Sequence, residues 1–128
     1  MSGSPSSDER RQARLSGYEA EAYVADLLQQ VGWSVLDRNW TSKVGELDAV
    51  VLRDGKLRFV EVRARQDAMV PTVDTIDFHK QRKLRRVAKA WMLASDVAFD
   101  EVAFLVALVD LSTEPWSVEW IDDAFDGG

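Results

Sequence analysis

The chain has 128 residues, of which 46% are hydrophobic and 30% are charged; this composition suits one folded domain and excludes a disordered chain. There is no cysteine, one histidine and no apolar run of membrane-spanning length, which excludes disulfides, thiol catalysis, Cys or multi-His metal sites and a transmembrane helix. The formal net charge of −6 is unevenly distributed: residues 1–95 carry all 16 Lys and Arg with 13 acids, whereas residues 96–128 carry nine acids and no base.

The N-terminal third begins with a polar segment. Residues 1–7 are rich in Ser, Gly and Pro and lack an apolar signal core, so we expect a disordered tail, a cytoplasmic protein and one domain over residues 8–128. From about residue 9 to residue 31, apolar residues recur every three to five positions, which predicts a helix. Asp8 is its expected cap, and Gly32 follows its expected end.

Three segments after this helix are typical of strands. Residues 33–40 alternate in polarity and predict a first strand, and the polar residues 41–45 predict a break after it. Residues 46–53 and 56–63 are both rich in strand-forming residues and are joined by Asp54-Gly55. This arrangement predicts a β-hairpin with a two-residue loop.

The hairpin register predicts a pair of facing acids. With Asp54 and Gly55 as the loop, Asp48 lies opposite Glu61 on one face of the hairpin. Like charges so placed are destabilising unless a cation or a shared proton lies between them. A hard divalent cation such as Mg²⁺ would satisfy both carboxylates, because it prefers carboxylate, water and phosphate oxygens.

A purely structural alternative remains open for the same strands. In this register Glu46 lies opposite Arg63, so the two can form a cross-strand ion pair. Arg65 or Arg38 would then neutralise the facing acids, and no metal would be needed.

The second half of the chain predicts a loop, a helix and two further strands. Asp77 is a suitable cap for a helix that runs to about Ser95 with an apolar face. The run 102–109 is continuously apolar, which is typical of a strand buried on both faces. The remaining predictions are a loop at 66–76, a short strand near 117–120 and a turn of helix at 122–125. The order α-β-β-β-α-β predicts an α/β fold with a mixed sheet flanked by helices.

The predicted second helix carries a dense basic run. Six bases without an intervening acid lie within ten residues: Lys80, Arg82, Lys83, Arg85, Arg86 and Lys89. Clustered Lys and Arg are what phosphate binding requires, so this run is a candidate nucleic-acid contact. The alternative is an ordinary solvated helix face.

Three motifs stand out along the hairpin: Gly-Glu-Leu-Asp at 45–48, the Asp-Gly turn, and Phe-Val-Glu-Val-Arg-Ala-Arg at 59–65. Together they resemble the signature of the YraN family, a bacterial family with a restriction-endonuclease-like fold. The resemblance extends to the first helix through Gly17 and Glu21, and to the C-terminal Glu-Trp-Ile at 119–121.

The resemblance implies a nuclease-like αβββαβ core with a metal-binding hairpin. Asp48 and Glu61 correspond to the metal-binding acids, Glu21 is a candidate third acid, and Arg63 occupies the position of the catalytic lysine. Arginine keeps its proton, so Arg63 can contact a phosphate but cannot act as a base. Lys80 is the candidate that supplies the missing ammonium. The implied cofactor is Mg²⁺ or Mn²⁺, and Arg65 joins the basic run as a candidate nucleic-acid contact.

The leading interpretation is a cytoplasmic nucleic-acid-binding protein with a nuclease-like fold. Its catalytic form would be a Mg²⁺-dependent phosphodiesterase, endonuclease-like, acting on DNA or RNA without a small-molecule cofactor or a membrane partner. Two alternatives are a non-catalytic nucleic-acid-binding module and a protein-interaction scaffold that uses the basic helix.

Overall fold

The computed structural model describes residues 7–66 and 76–125, with side chains from residue 17 onward. It contains two helices, α1 (Ser7–Gln30) and α2 (Phe78–Ala94). The five strands are β1 (Ser34–Ser42), β2 (Gly45–Arg53), β3 (Lys56–Arg65), β4 (Glu101–Asp110) and β5 (Ser117–Asp122). They form one sheet in the order β1-β2-β3-β4-β5, in which only the β3–β4 pair is parallel. A parallel pair needs a crossover connection, and α2 lies in that connection.

The two helices cover opposite faces of the sheet. On one face Leu84, Val87 and Trp91 of α2 pack with a buried set from the strands that includes Val50 and Phe59. On the other face α1 packs through Ala20, Val24 and Leu28 against Ala49, Val51, Val60, Leu105, Ala107 and Val109. Strand β4 is buried over most of its length and contributes to both cores, as its continuous apolar run predicted. The predicted α/β class with a mixed, helix-flanked sheet is therefore confirmed.

Most predicted boundaries agree with the structure to within a residue or two. Helix α1 begins at Ser7, one residue before the predicted Asp8 cap, and the positive φ of 100° at Gly32 follows its end. Asp77 does cap α2, because its side chain accepts a 2.8 Å hydrogen bond from the Lys80 backbone N–H. Strand β1 extends through Ser42, so the predicted break shortens to residues 43–44. Of the predicted loop at 66–76, residues 67–75 lie outside the described residues, as does most of the predicted 1–7 tail.

The predicted helical turn at 122–125 is wrong. Asp122 is the last residue of β5, and Asp123 has a φ of 51°, which is outside the helical region. The backbone N–H of Ala124 donates to the Phe104 carbonyl oxygen at 3.1 Å, and Phe125 stacks on the Phe104 ring. The segment therefore packs against β4 and satisfies its backbone there.

Arg58 joins β3 to the C-terminal part of the sheet. Its side chain is only 7% exposed, and its Nε and Nη2 atoms donate to the two carboxylate oxygens of Asp122 at 2.6 and 3.2 Å. The same Nη2 donates to Glu101 at 2.6 Å. These hydrogen bonds hold the pKa of Asp122 below its usual range, with burial opposing them. One buried guanidinium thus connects three strands.

None of the helices in the described part of the chain is both long and apolar enough to cross a membrane.

Candidate active site

The hairpin has the predicted two-residue loop, and its strands separate at the acids. Pairs run from Arg53–Lys56 to Ala49–Val60, and the positive φ angles of Asp54 (51°) and Gly55 (78°) suit a tight hairpin turn. Beyond Ala49 the structure records no Cα pair between β2 and β3. Instead, the Val62 backbone N–H donates to Asp48 Oδ2 at 2.8 Å. The Asp48 side chain therefore replaces ladder pairing at the point where the strands diverge.

An irregularity in β1 lies opposite the same acid. The β1–β2 pairs Trp40–Leu47 and Arg38–Ala49 flank Asp48, while Asn39 between them has a φ of 52°. Asparagine tolerates this left-handed conformation better than most residues. Leu47 belongs to the α2-side core and Ala49 to the α1-side core, so the alternation of strand faces changes at Asp48. Asp48 can therefore line cavities on the sides of both helices.

Glu61 meets an ammonium from α2. Its side chain is 11% exposed, and its Oε1 lies 3.5 Å from Lys80 Nζ, which is 44% exposed. The Asp77 cap fixes the first turn of α2 and so fixes the position of Lys80. The structure thus places Lys80, the candidate for the ammonium that the family resemblance implies, beside Glu61.

These groups surround a small cavity of about 160 Å³, hereafter the carboxylate cavity. It is lined by Glu46, Asp48, Glu61, Lys80, Lys83, Leu84 and Val87. A Cβ atom on Gly45 would lie 2.8 Å from Val87 Cγ2 and 3.2 Å from Lys83 Cε, and the φ of this glycine is 147°. Gly45 is thus needed for the close approach of α2 to the start of β2, which places the lysines beside the acids.

Glu21 lies at a second, larger cavity on the α1 side. This cavity measures about 430 Å³ and is lined by Gly17, Tyr18, Glu21, Asn39, Thr41, Glu46 and Asp48. Glu46 and Asp48 therefore belong to both cavities. The Oε1 atom of Glu21 is buried and has no hydrogen-bond partner. A buried carboxylate oxygen without a partner is costly unless it is protonated or neutralised by a cation.

The acids raise one another's pKa values. Burial and the nearby Asp48 raise the pKa of Glu61 to about 7, although Lys80 and Arg63 oppose the shift. Burial, then Asp48, raises the pKa of Glu21 to about 7, with smaller upward effects from Glu46 and Glu61. Burial also raises the pKa of Asp48, against the hydrogen bond from Val62 and the charge of Lys80. Such crowding of carboxylates favours either a bound proton or a bound cation.

Arg63 does not form the ion pair that the structural alternative required. It pairs with Leu108 across the β3–β4 ladder, and no ion pair joins it to Glu46 among the described residues. Its charge nevertheless lowers the pKa values of Asp48 and Glu61, where it acts as a weaker influence than burial. Its Nε atom is buried without a hydrogen-bond partner. Arg63 therefore influences the acids through its charge, and its Nε–H group is a hydrogen-bond donor without an acceptor.

The donor set suits a hard divalent cation, but it is not a complete ligand set. Asp48, Glu61, Glu21 and Glu46 offer only oxygen, which Mg²⁺ and Mn²⁺ prefer, and the unpartnered Glu21 oxygen and the raised pKa values both favour a positive charge nearby. Among the side chains that the structure describes, in residues 17–66 and 76–125, however, no three acidic or histidine side chains form a ready metal cluster. Asp48 and Glu61 are the residues that would hold the ion, with water and phosphate oxygens completing its shell.

The other basic residues divide between different surfaces. Lys83 lines the carboxylate cavity with Lys80, whereas four bases line a cavity on the other flank of α2: Arg82, Arg85, Arg86 and Lys89. Arg65 lies at the end of β3 beside Asp110, and it lines neither the carboxylate cavity nor the second cavity at Glu21. Sequence reasoning named Lys83 as a nucleic-acid contact but did not place it beside the acids, and it missed Asn39 and Glu46 as members of the site. Glu46 could have been found, since it lies two residues before Asp48 on the same strand.

The sheet order, the helix on each face and the acid-bearing hairpin define an α/β protein with a restriction-endonuclease-like αβββαβ core. Residues 20–107 match the model described as "Uncharacterised protein family UPF0102", which is the YraN family, and the chain belongs to this family. A UPF0102 protein of Myxococcus xanthus is 38% identical over 121 residues, which cover 94% of each chain. A UPF0102 protein of Magnetococcus marinus is 36% identical over 114 residues, which cover 88% of this chain and 92% of the relative.

Proposed function

We propose that this protein binds nucleic acid and cleaves its phosphodiester backbone with the help of Mg²⁺ or Mn²⁺. The observation that carries the proposal is the meeting of Asp48, Glu61 and Lys80 at one cavity, with the Lys80 ammonium 3.5 Å from Glu61. Metal-assisted phosphodiester hydrolysis needs oxygen ligands that hold the cation, and a nearby ammonium stabilises negative charge that develops on the phosphate. They come from β2, β3 and α2, so the whole fold is required to assemble them.

Each residue has a distinct role in this proposal. Asp48 and Glu61 hold the cation, which when bound polarises the phosphate and lowers the pKa of an attacking water. Lys80 donates hydrogen bonds to a phosphate oxygen or to that water, since it is half-exposed at the cavity and close to Glu61. Arg63 supplies positive charge to the phosphate without exchanging a proton. Lys83, also at the cavity, adds a second contact for the substrate backbone.

The test is a cleavage assay on labelled duplex, single-stranded and branched substrates, each with Mg²⁺, Mn²⁺ or EDTA. We expect metal-dependent cleavage by the wild type, its loss in Asp48→Ala and Glu61→Ala, and a strong decrease in Lys80→Ala. Asp26→Ala is the matched control, because Asp26 is an exposed acid on α1 that lines neither the carboxylate cavity nor the second cavity at Glu21. Cleavage that survives EDTA or the Asp48 substitution would contradict the proposal.

A second candidate function is a nucleic-acid-binding module without catalysis. Two observations favour it: an arginine, Arg63, stands where the family resemblance implies a catalytic lysine, and no complete metal-ligand set is present among the described residues. This function predicts equal nucleic-acid affinity in EDTA and in Mn²⁺, unchanged affinity in Glu61→Gln, and no cleavage of any substrate. The same assay, supplemented with a binding measurement, separates the two functions.

A further inference from the structure

A cavity on the far flank of α2 combines cations with an apolar wall. It measures about 420 Å³ and lies between α2 and the start of β4, and we call it the flank cavity. Four bases line it, Arg82, Arg85, Arg86 and Lys89, and its apolar lining includes Met92, Val102, Ala103 and Phe104. Its size falls in the range of small-molecule sites, about 300–1,000 Å³. No acidic side chain is among the described residues that line it.

This combination matches the chemistry of a nucleotide. The base of a nucleotide has two flat faces that pack on apolar side chains or on guanidinium planes. The phosphate of the nucleotide is bound by Lys or Arg side chains. The region already accommodates such packing within the protein: the Phe125 ring stacks on Phe104 with centroids 4.6 Å apart, and Arg85 lies 6.0 Å from the Phe125 ring. Val102 is 40% exposed, so apolar surface is accessible at the cavity.

A band of cations links the flank cavity to the carboxylate cavity across the exposed side of α2. Arg82 and Arg86 line both the flank cavity and a further cavity of about 530 Å³ at the start of α2. Lys80 and Lys83 line both that further cavity and the carboxylate cavity. Because a helix with its side chains is about 10–12 Å in diameter, a strand of a few nucleotides would cross it.

We infer that the flank cavity binds an unpaired nucleobase of a single strand whose phosphates cross α2 toward the carboxylate cavity. In a duplex the faces of the bases are covered by their neighbours, so only an unpaired base can insert into this cavity. The inference rests on the proposed function only in taking nucleic acid as the ligand. It adds the substrate class, which is a single strand or an unpaired strand end.

The experiment measures binding in EDTA by fluorescence anisotropy, so that cleavage plays no part. The ligands are a short labelled single strand, a duplex of the same length and sequence, and a set of single strands with one abasic position each. We expect tighter binding of the single strand than of the duplex. One abasic position should weaken binding by about tenfold, the size expected when one stacked base is removed.

Two pairs of matched variants locate the contact. Val102→Glu places a negative charge in the flank cavity, and Leu93→Glu places the same charge on a residue that is 84% exposed and lines no cavity described here. Lys89→Gln removes a charge from the flank cavity, and Lys56→Gln removes one from an exposed residue of β3 outside it. We expect weaker single-strand binding only in Val102→Glu and Lys89→Gln, with the abasic effect abolished in Val102→Glu. The Lys pair decides the outcome if Val102→Glu does not fold.

Three outcomes would overturn the inference: duplex binding as tight as single-strand binding, no sensitive abasic position, or equal weakening in each matched pair. These outcomes are separate from the fate of the proposed chemistry. Single-strand binding at the flank cavity with no metal-dependent cleavage supports the inference and contradicts the phosphodiesterase proposal. Cleavage of duplex without single-strand preference does the reverse.

Discussion

Asp48 contributes to the fold and to the candidate site in two different ways. Its Oδ2 accepts a hydrogen bond from the Val62 backbone N–H, which replaces ladder pairing between β2 and β3. Its charge raises the pKa values of Glu21 and Glu61, so in the absence of a cation it is an unfavourable neighbour for both. Substitutions can separate these two contributions, because asparagine keeps an oxygen acceptor and has no charge.

We expect Asp48→Asn to fold normally and to be as stable as the wild type, or slightly more stable, in EDTA. The wild type should gain stability with Mn²⁺ and the variant should not. At a metal concentration of about 100 times Kd, the gain is about 2.7 kcal/mol. Thermal unfolding of both proteins, each with EDTA and with millimolar Mn²⁺, measures the difference, and Asp26→Asn is the control. A wild type without a metal-dependent shift, together with a variant that is markedly less stable in EDTA, would show that the carboxylates form an Arg- and Lys-centred ion network instead.

The raised pKa of Glu61 predicts a pH dependence of stability. Because folding raises this pKa from 4.5 to about 7, the folded protein binds more protons than the unfolded chain between these pH values. The stabilising contribution is fully present below about pH 4.5 and is lost as the pH rises through 7. A pKa shift of this size corresponds to a loss of about 3 kcal/mol in the free energy of unfolding.

Glu61→Gln removes this titration, so its free energy of unfolding should fall less steeply than that of the wild type between pH 4.5 and 7. Urea unfolding across that range in metal-free buffer measures the two slopes. Glu119→Gln, at an exposed acid of β5, should keep the wild-type slope. Parallel curves for Glu61→Gln and the wild type would mean that Glu61 is ionised in the folded protein at acidic pH.

Helix α2 is amphipathic: one face is buried against the sheet, and basic side chains occupy the remaining sides. Its buried residues are Leu84, Val87, Ala88 and Trp91, and the Trp91 ring nitrogen donates to Asp37 Oδ2 at 2.7 Å. Two of its bases lie close to aromatic rings: Arg82 over Phe78 at 5.2 Å and Arg85 over Phe125 at 6.0 Å. Because the bases lie on both flanks of the helix, they can contact a strand that crosses it more easily than a backbone that runs along it.

Replacement of Arg82, Arg85 and Arg86 by Gln tests whether α2 contacts phosphates. We expect weaker binding for every nucleic-acid sequence, since phosphate contacts carry no base information. The slope of log affinity against log salt should decrease by about one for each phosphate that the variant no longer binds. Titrations at several salt concentrations give both quantities, with Lys56→Gln as the control. An unchanged affinity and slope would leave α2 as an ordinary solvated helix face.

For the molecule as a whole, Arg58 matters because it adds side-chain hydrogen bonds from β3 to β4 and to the C-terminal strand, which also pairs with β4 through its backbone. Arg58→Ala leaves Asp122 and Glu101 without their cation, and we expect a decrease of about 2–3 kcal/mol in the free energy of unfolding. This is below the decrease expected for a fully buried pair, because the two acids are more than half exposed. Urea unfolding measures it, and Lys56→Ala, at an exposed position two residues earlier on β3, should cost much less. Equal small decreases in the two variants would contradict a structural role for Arg58.

Local features of the fold could be predicted from the amino-acid sequence alone. The Asp54-Gly55 loop sets the register of the hairpin, because a two-residue turn leaves only one way to align the flanking strands. Asp77 sets the start of α2 through a bond to an N–H three residues along the chain. The continuous apolar run of β4 likewise predicts burial on both faces. Each depends on residues that are close in sequence, where backbone geometry is restrictive.

Only the tertiary structure decided how the site is assembled. Lys80 lies beside Glu61, and Asp48 raises the pKa of Glu21. Both effects arise because α2 and α1 pack on opposite faces of the sheet beside one diverging hairpin. No residue spacing in the sequence predicts that geometry. The pKa shifts depend on burial, which the packed molecule alone creates. The predicted turn of helix at 122–125 failed for the same reason, since its backbone bonds to β4 replaced the local bonds of a helix. Contacts between residues that are remote in the chain are set by the packing of whole helices and strands. That packing therefore also sets the charges and pKa values of the candidate site.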